Sequence, residues 1–124
     1  CERAENLIRE LSQYSELMFQ KTEQNRKHGY HLLPARYDGV AFGKCNDDLI
    51  ELLSNKYGIK AIVQYHPLNR YPLFAKMGFG EANCPNADFF FDNMVSFPFH
   101  LWMSEVDFKY MISSIQMALD ELRK

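Results

Sequence analysis

Hydrophobic residues recur every three to four positions at both ends of the chain, and this spacing predicts two amphipathic helices. The first helix is expected at about residues 3–21. Its apolar face would carry Ala4, Leu7, Leu11, Tyr14 and Met18. The second helix is expected to begin after Ser104, because Ser104 and Asp107 have the spacing of a capping box. We expect its apolar stripe to pack in the core; the stripe consists of Phe108, Met111, Ile112, Ile115, Leu119 and Leu122.

A third helix is predicted in the middle of the chain, from Asn46 as N-cap to Tyr57, with Gly58 after its end. Two shorter helices are expected to begin at Pro72 and Pro85, since proline favours the first helical turn.

Alternating apolar residues predict strands at 30–37, 59–65 and 95–97. Pro34 has no N–H to donate to a ladder, so we expect the first of these strands to lie at an edge or to carry a bulge. Together the elements predict an α+β fold with a small, mostly antiparallel sheet of about three strands covered by helices.

Composition limits the classes of protein to consider. The 124 residues, 47% of them hydrophobic, suffice for one compact domain spanning 1–124. The net charge is -2, and the absence of a polybasic run argues against nucleic acid as a partner. No apolar stretch approaches the roughly 20 residues that would span a membrane. Three widely spaced cysteines, Cys1, Cys45 and Cys84, indicate reduced thiols in a cytoplasmic protein.

The segment at 64–74 is rich in polar and aromatic side chains and follows directly after a predicted strand. Its amide, hydroxyl, imidazole and guanidinium groups suit a ligand that carries phosphate and sugar hydroxyls. The candidate substrate-binding residues are Gln64, Tyr65, His66, Asn69, Arg70 and Tyr71. A proline-rich surface loop whose tyrosine rings cover the core is the other interpretation, and the residues alone leave both open.

The remaining histidines give weaker signals. His31 falls in a predicted strand, where we interpret it as a structural residue. A metal site would need two or more histidines and a carboxylate to converge, and the spacing offers no support for one.

Four short motifs occur in a fixed order along the chain. They are Gly-Tyr-His-Leu-Leu at 29–33, Gly-Ile-Lys-Ala-Ile-Val at 58–63, Gln-Tyr-His-Pro-Leu-Asn at 64–69, and Ser-Phe-Pro-Phe-His-Leu-Trp-Met-Ser-Glu-Val-Asp at 96–107. This ordered set resembles the C-terminal part of the DegT/DnrJ/EryC1/StrS family, the pyridoxal-phosphate-dependent sugar aminotransferases. The resemblance covers nearly the whole chain.

The resemblance implies a fold, a role and partners. It implies the C-terminal small domain of a fold type I aminotransferase, which moves an amino group from glutamate or glutamine to a nucleotide-linked keto-sugar. The intact enzyme would be a homodimer that holds pyridoxal 5′-phosphate (PLP). Tyr65 matches the family's motif directly. Gln64 and Asn69 stand where the family usually has histidine, and an amide cannot act as an acid or base, so those two correspond in position only.

The family's Schiff-base lysine lies in a Ser-rich segment followed by a Gly-rich one, and no lysine of this chain has that setting. We therefore expect the PLP-binding domain to lie N-terminal to this chain, and we expect the chain alone to bind no PLP and to be inactive. The chain begins with Cys1 rather than Met, which agrees with a piece of a longer protein. An apolar surface facing the missing domain would include Phe89, Phe90, Phe91 and Trp102, unless these residues belong to the core.

Two alternatives remain from the sequence. One is a stand-alone α+β binding or regulatory module without catalysis. The other is a small enzyme that uses His66 or His31 as a general base, which requires a nucleophile or a carboxylate within hydrogen-bond reach.

Overall fold

Within residues 2–79 and 82–124, which the computed structural model describes, three strands form one antiparallel sheet. They are β1 (Leu17–Phe19), β2 (Leu33–Tyr37) and β3 (Met94–Phe97), in the order β1-β2-β3. On β2, residues 33, 35 and 37 are buried and the two between them are half-buried. The predicted α+β fold with a small antiparallel sheet is confirmed.

Five α-helices accompany this sheet within the described residues. They are α1 (Glu2–Leu11), α2 (Asn46–Tyr57), α3 (Pro72–Lys76), α4 (Pro85–Asp92) and α5 (Glu105–Leu122). The long α5 packs against both α1 and α2, and its predicted apolar stripe is buried along its whole length. Ser104 caps α5 as expected, because its Oγ accepts a hydrogen bond from the Asp107 N–H at 3.1 Å. No helix in the described residues is both long and apolar enough to cross a membrane.

The predicted length of the first helix was wrong, because α1 ends at Leu11 and the chain then turns into β1. Tyr14 and Met18 keep helical spacing in the sequence, but Leu17 pairs with Tyr37 of β2. The turn is closed by backbone hydrogen bonds from the Tyr14 N–H to the Leu11 carbonyl and from the Leu17 N–H to the Tyr14 carbonyl. A pairing partner 20 residues away therefore outweighs the local periodicity.

The strand predicted at 59–65 was also wrong, since only one residue of it joins the sheet. Ile62 and Ser96 exchange two backbone hydrogen bonds, of 3.1 and 2.8 Å, which form an isolated bridge on the outer edge of β3. The strands β1 and β3 pair with β2 on its two sides and place it in the centre of the sheet, so the expected edge position of Pro34 was wrong too.

The geometry explains how a central strand tolerates this proline. Ser96 lies opposite Pro34 but directs its own N–H and carbonyl away from β2, toward Ile62. The nitrogen of Pro34 therefore faces the β1 side of β2, where β1 has already ended at Phe19 opposite Ala35. The missing N–H removes no ladder hydrogen bond.

The start of α2 is shifted by one residue from the prediction. Cys45 is the N-cap, and its N–H donates to Asp48 Oδ2 at 2.7 Å. Asn46 is the first helical residue and is buried, with Nδ2 donating to the Met94 carbonyl at 3.0 Å. The Asn46 side chain, which was expected to cap α2, instead links this helix to β3 through a hydrogen bond.

Residues 63–93 leave the sheet after the Ile62 bridge and return to it at β3; we call this segment the excursion. It contains a 3-10 helix at Leu68–Arg70, then α3 and α4. None of its described residues, 63–79 and 82–93, is buried. The core of the molecule thus lies between the sheet and the helices α1, α2 and α5.

Candidate functional site

All six candidate substrate-binding residues lie on the first part of the excursion, between the sheet edge and the start of α3. Gln64 is half-buried and sits two residues after the Ile62 bridge. Tyr65 is the most exposed tyrosine among the described residues, with 66% of its surface accessible. The rigid sheet edge therefore presents this part of the loop to solvent.

Arg70 is engaged by two carboxylates of α4. Its Nη1 and Nη2 donate to Asp92 Oδ1 and Oδ2 at 2.6 and 3.0 Å, and its Nε lies 2.6 Å from Asp88 Oδ1. These hydrogen bonds from Arg70 hold the pKa of the Asp92 carboxyl below its usual range, and the carboxylates in turn raise the pKa of Arg70. The guanidinium fork predicted for a substrate phosphate is occupied within the protein; substrate contact by Arg70 stays a prediction.

His66 and Asn69 also make contacts within the excursion. The His66 ring meets Tyr71 and Phe91 edge-on, with centroid distances of 5.1 and 4.9 Å. Asn69 Nδ2 donates to the Ala82 carbonyl at 3.3 Å. Four of the six candidates, His66, Asn69, Arg70 and Tyr71, therefore help to hold the excursion together. Gln64 and Tyr65 make no side-chain hydrogen bond to any described residue.

Gln64 contributes to a cavity of about 350 Å³ at the outer edge of the sheet. Its other polar side chains include His31 and Lys60, and Pro98 and Phe99 form part of its wall. His31 was predicted to lie in a strand, but β2 begins only at Leu33 and the His31 side chain is exposed. The structure thus brings together three polar groups from two loops that are far apart in sequence.

A second cavity, of about 500 Å³, lies within the excursion and is almost wholly apolar. Its walls come from the 3-10 helix, α3 and the start of α4, and include Leu68, Phe74, Phe79 and Cys84. Of the residues expected on an apolar surface, Phe89, Phe90 and Trp102 are exposed and Phe91 is half-buried.

The sequence interpretation missed Asp88 and Asp92 as partners of Arg70. Their spacing of four residues on a predicted helix already places both carboxylates on one face, but only the fold shows that Arg70 lies against that face. Lys60 was missed because it is an isolated lysine near a strand end. Only the fold shows that it shares a cavity with His31 and Gln64.

The described residues do not by themselves fit PLP. A Schiff-base lysine needs a pocket, with a carboxylate for the pyridine nitrogen. Every described lysine is exposed or half-buried, Lys56 is paired with Glu121 at 2.5 Å, and no carboxylate lines the cavity that contains Lys60. No group of three or more His, Cys, Asp or Glu residues within 2–79 and 82–124 could hold a metal ion.

Comparison with known proteins identifies the class of this fold. Over 97% of its length, the chain superposes on PseC of Helicobacter pylori, an aminotransferase involved in the biosynthesis of pseudoaminic acid, with a TM-score of 0.77 and 23% identity. It also superposes on the aminotransferase TlmJ of Streptoalloteichus hindustanus over 98% of its length, with a TM-score of 0.76 and 21% identity. The fold is therefore one that occurs within aminotransferases.

The model of the DegT/DnrJ/EryC1/StrS aminotransferase family matches residues 1–116, and the chain belongs to this family. It is also 28% identical over 91 residues to the spore coat polysaccharide biosynthesis protein SpsC of Bacillus subtilis (strain 168). The chain spans 32% of PseC, 31% of TlmJ and 23% of SpsC.

Proposed function

We propose that this chain is the substrate-side small domain of a PLP-dependent sugar aminotransferase. The parent enzyme moves an amino group from glutamate or glutamine to a nucleotide-linked keto-sugar. Family membership over residues 1–116 and the shared fold support the aminotransferase class. The sugar, the nucleotide and the amino donor are part of the proposal.

The observation that carries the proposal is the setting of Tyr65. In the family this tyrosine belongs to a loop at the mouth of the active site. Here its side chain is 66% exposed, and its hydroxyl has no hydrogen-bond partner among the described residues. An exposed tyrosine with a free hydroxyl, held beside a rigid sheet edge, suits binding better than packing.

We assign two kinds of role to the six candidate residues. Gln64 and Tyr65 contact the substrate, because their polar groups are not used within the described part of the chain. His66, Asn69, Arg70 and Tyr71 hold the loop in shape through contacts within the excursion. The excursion closes over the active site, and its exposed apolar side chains, including Phe89 and Phe90, face the rest of the parent protein.

The PLP and its lysine belong, in this proposal, to an N-terminal domain of the parent, which acts as a homodimer. PLP supplies the electron sink for transamination when it is bound there. The chain alone is expected to be inactive, and incubation with PLP and glutamate should give neither a stable Schiff base on a lysine of the chain nor turnover. A cytoplasmic location remains a prediction from the sequence.

The test uses the parent protein and a nucleotide-linked keto-sugar as amino acceptor. Tyr65→Phe should lower kcat/KM about tenfold, because it removes one hydrogen bond to the substrate. Tyr110→Phe is the control, since Tyr110 lies on α5 and donates to the Tyr57 carbonyl at 3.0 Å. The proposal fails if the parent does not aminate such sugars, or if both variants keep full activity.

A further inference from the structure

The cavity at the sheet edge has a charge pattern that its contacts within the protein do not explain. Four of its lining residues have polar side chains that can donate hydrogen bonds: Lys60, His31 and Gln64 on loops, and Ser96 on β3. No aspartate or glutamate is among the residues that line it. Such a set of donors repels cations and attracts groups that carry negative charge.

These donors are not used elsewhere within the described part of the chain. Neither Lys60 nor His31 nor Gln64 makes an ion pair or a side-chain hydrogen bond to residues 2–79 or 82–124. At this edge the backbones of Ile62 and Ser96 bond to each other through two hydrogen bonds. The cavity therefore offers side-chain donors that have no side-chain partner within the described residues.

We propose that this cavity binds a small oxyanion, with Lys60 as the cation and with His31 and Gln64 as hydrogen-bond donors. An oxyanion accepts hydrogen bonds from all three groups and carries the charge opposite to that of Lys60, whereas a metal ion would be repelled by the ammonium group. A volume of about 350 Å³ holds such a group together with part of a larger ligand.

The identity of the oxyanion rests on the proposed function, in which two substrates each carry such a group. One is the phosphate of the nucleotide-linked sugar, and the other is the carboxylate of the amino donor. Both present oxygen acceptors to the same three donors. Gln64 belongs to the cavity and to the substrate loop, so the cavity adjoins the place where Tyr65 is presented.

The experiment measures binding to the 124-residue chain by isothermal titration calorimetry, with inorganic pyrophosphate in one arm and glutamate in the other. Lys60→Gln should weaken binding about tenfold, since it removes a charge-assisted contact. Lys109→Gln is the matched control, because Lys109 is an exposed lysine on α5 that does not line the cavity. His31→Gln is a second variant, expected to weaken binding by a smaller factor.

The possible outcomes distinguish phosphate from carboxylate as the oxyanion, and they distinguish this inference from the proposed function. Lys60-dependent binding of pyrophosphate alone assigns the cavity to phosphate, and Lys60-dependent binding of glutamate alone assigns it to a carboxylate. Failure of both probes to bind, or equal weakening by Lys60→Gln and Lys109→Gln, overturns the inference. The measurement requires no turnover, so a Lys60-dependent site survives even if the parent fails to aminate nucleotide-linked sugars.

Discussion

The sheet with its three long helices and the excursion differ in how they are held together. The first region, hereafter the core region, buries apolar side chains from α1, α2, α5 and every strand in one cluster. The excursion has no buried residue within 63–79 and 82–93, and it is fixed by the Arg70 ion pairs and by edge-on aromatic contacts. One region is thus held by hydrophobic burial and the other by polar and aromatic contacts near water.

The region that stabilises the fold is therefore distinct from the region that carries the candidate site. Segments with few buried contacts open at lower free energy than the core, and binding loops are drawn from such segments. The excursion carries the candidate substrate residues and exposes Phe79 and Phe89, whereas the core region fixes the sheet edge from which the excursion leaves. The comparison predicts that mutations of similar chemistry will have very different effects in the two regions.

The largest contrast is expected for phenylalanine truncation. Phe108→Ala should lower the free energy of unfolding by about 3–5 kcal/mol, because the side chain is 1% exposed and its removal leaves a cavity. Phe79→Ala should change that free energy by no more than about 0.5 kcal/mol, because Phe79 is 59% exposed. Urea denaturation of both variants measures the difference. Equal losses would show that the excursion is part of the cooperative core.

The next contrast is between two glycines, Gly39, which is closely surrounded by other atoms, and Gly29, which is not. A Cβ at Gly39 would lie 2.6 Å from the Tyr37 ring and 2.7 Å from the Lys44 carbonyl oxygen. Gly39→Ala should therefore destabilise by about 1–3 kcal/mol, as overpacking does. Gly29→Ala is the control, since a Cβ there meets nothing within 4 Å. Thermal unfolding should separate the two variants clearly, and equal midpoints would contradict the tight packing at Gly39.

The parts of the fold that the sequence predicted are those fixed by local signals. The capped start of α5 and its apolar stripe were predictable because both depend only on residues of the helix and its N-cap. Ser104 supplies the cap, and the apolar residues recur about every 3.6 positions. The strand β1 was missed because it depends on pairing between Leu17 and Tyr37, which local spacing cannot reveal. Helical periodicity at Tyr14 and Met18 even indicated the wrong element.

In the candidate site too, local features were predictable from the sequence and contacts between distant segments were not. The sequence predicted that Tyr65 follows a strand-like segment, and the exposure of its side chain agrees with a binding loop. The engagement of Arg70 by Asp88 and Asp92 was not predicted, because it joins a 3-10 helix to a helix 18 to 22 residues further on. A free guanidinium and a paired one have the same sequence signal, and only the fold distinguishes them.

The third contrast concerns a partly buried ion pair in the core region, between Glu16 and Arg123. Glu16 is 6% exposed and accepts two hydrogen bonds from Arg123, of 2.7 and 2.8 Å. Burial raises the pKa of Glu16, but the hydrogen bonds from Arg123 outweigh this effect, and the net pKa is below the usual 4.5. Glu16→Gln should cost about 1–3 kcal/mol at neutral pH, because it removes the charge that Arg123 contacts.

The pH dependence follows from the sign of that shift. A lowered pKa in the folded state stabilises the protein fully above the usual value of 4.5, and this contribution is lost as the pH falls through the folded-state pKa. The difference between wild type and Glu16→Gln should therefore shrink in acid. Glu121→Gln breaks an exposed pair with Lys56 and should cost clearly less at neutral pH. A pH-independent difference for Glu16→Gln would refute the assignment.

Removing the ion pairs of the excursion is expected to have the smallest effect on global stability. Its effect should be confined to the excursion itself. Arg70→Gln removes the contacts with Asp88 and Asp92 that join the 3-10 helix to α4. The unfolding midpoint should stay near that of the wild type, because none of these residues is buried. Amide hydrogen exchange at 67–76 and 85–93 should become faster, since local opening no longer has to break the ion pairs.

Arg26→Gln provides the matched control for this variant, because it breaks an exposed pair with Glu23 outside the excursion. It should leave exchange at 67–76 and 85–93 unchanged. The pKa of Asp92 is lowered by Arg70, so acid should loosen the wild-type excursion only as the pH falls through that lowered pKa. If Arg70→Gln lowered the unfolding midpoint as much as Phe108→Ala, the excursion and the core region would unfold together. The excursion would then be a structural part of the core rather than a loop poised for binding.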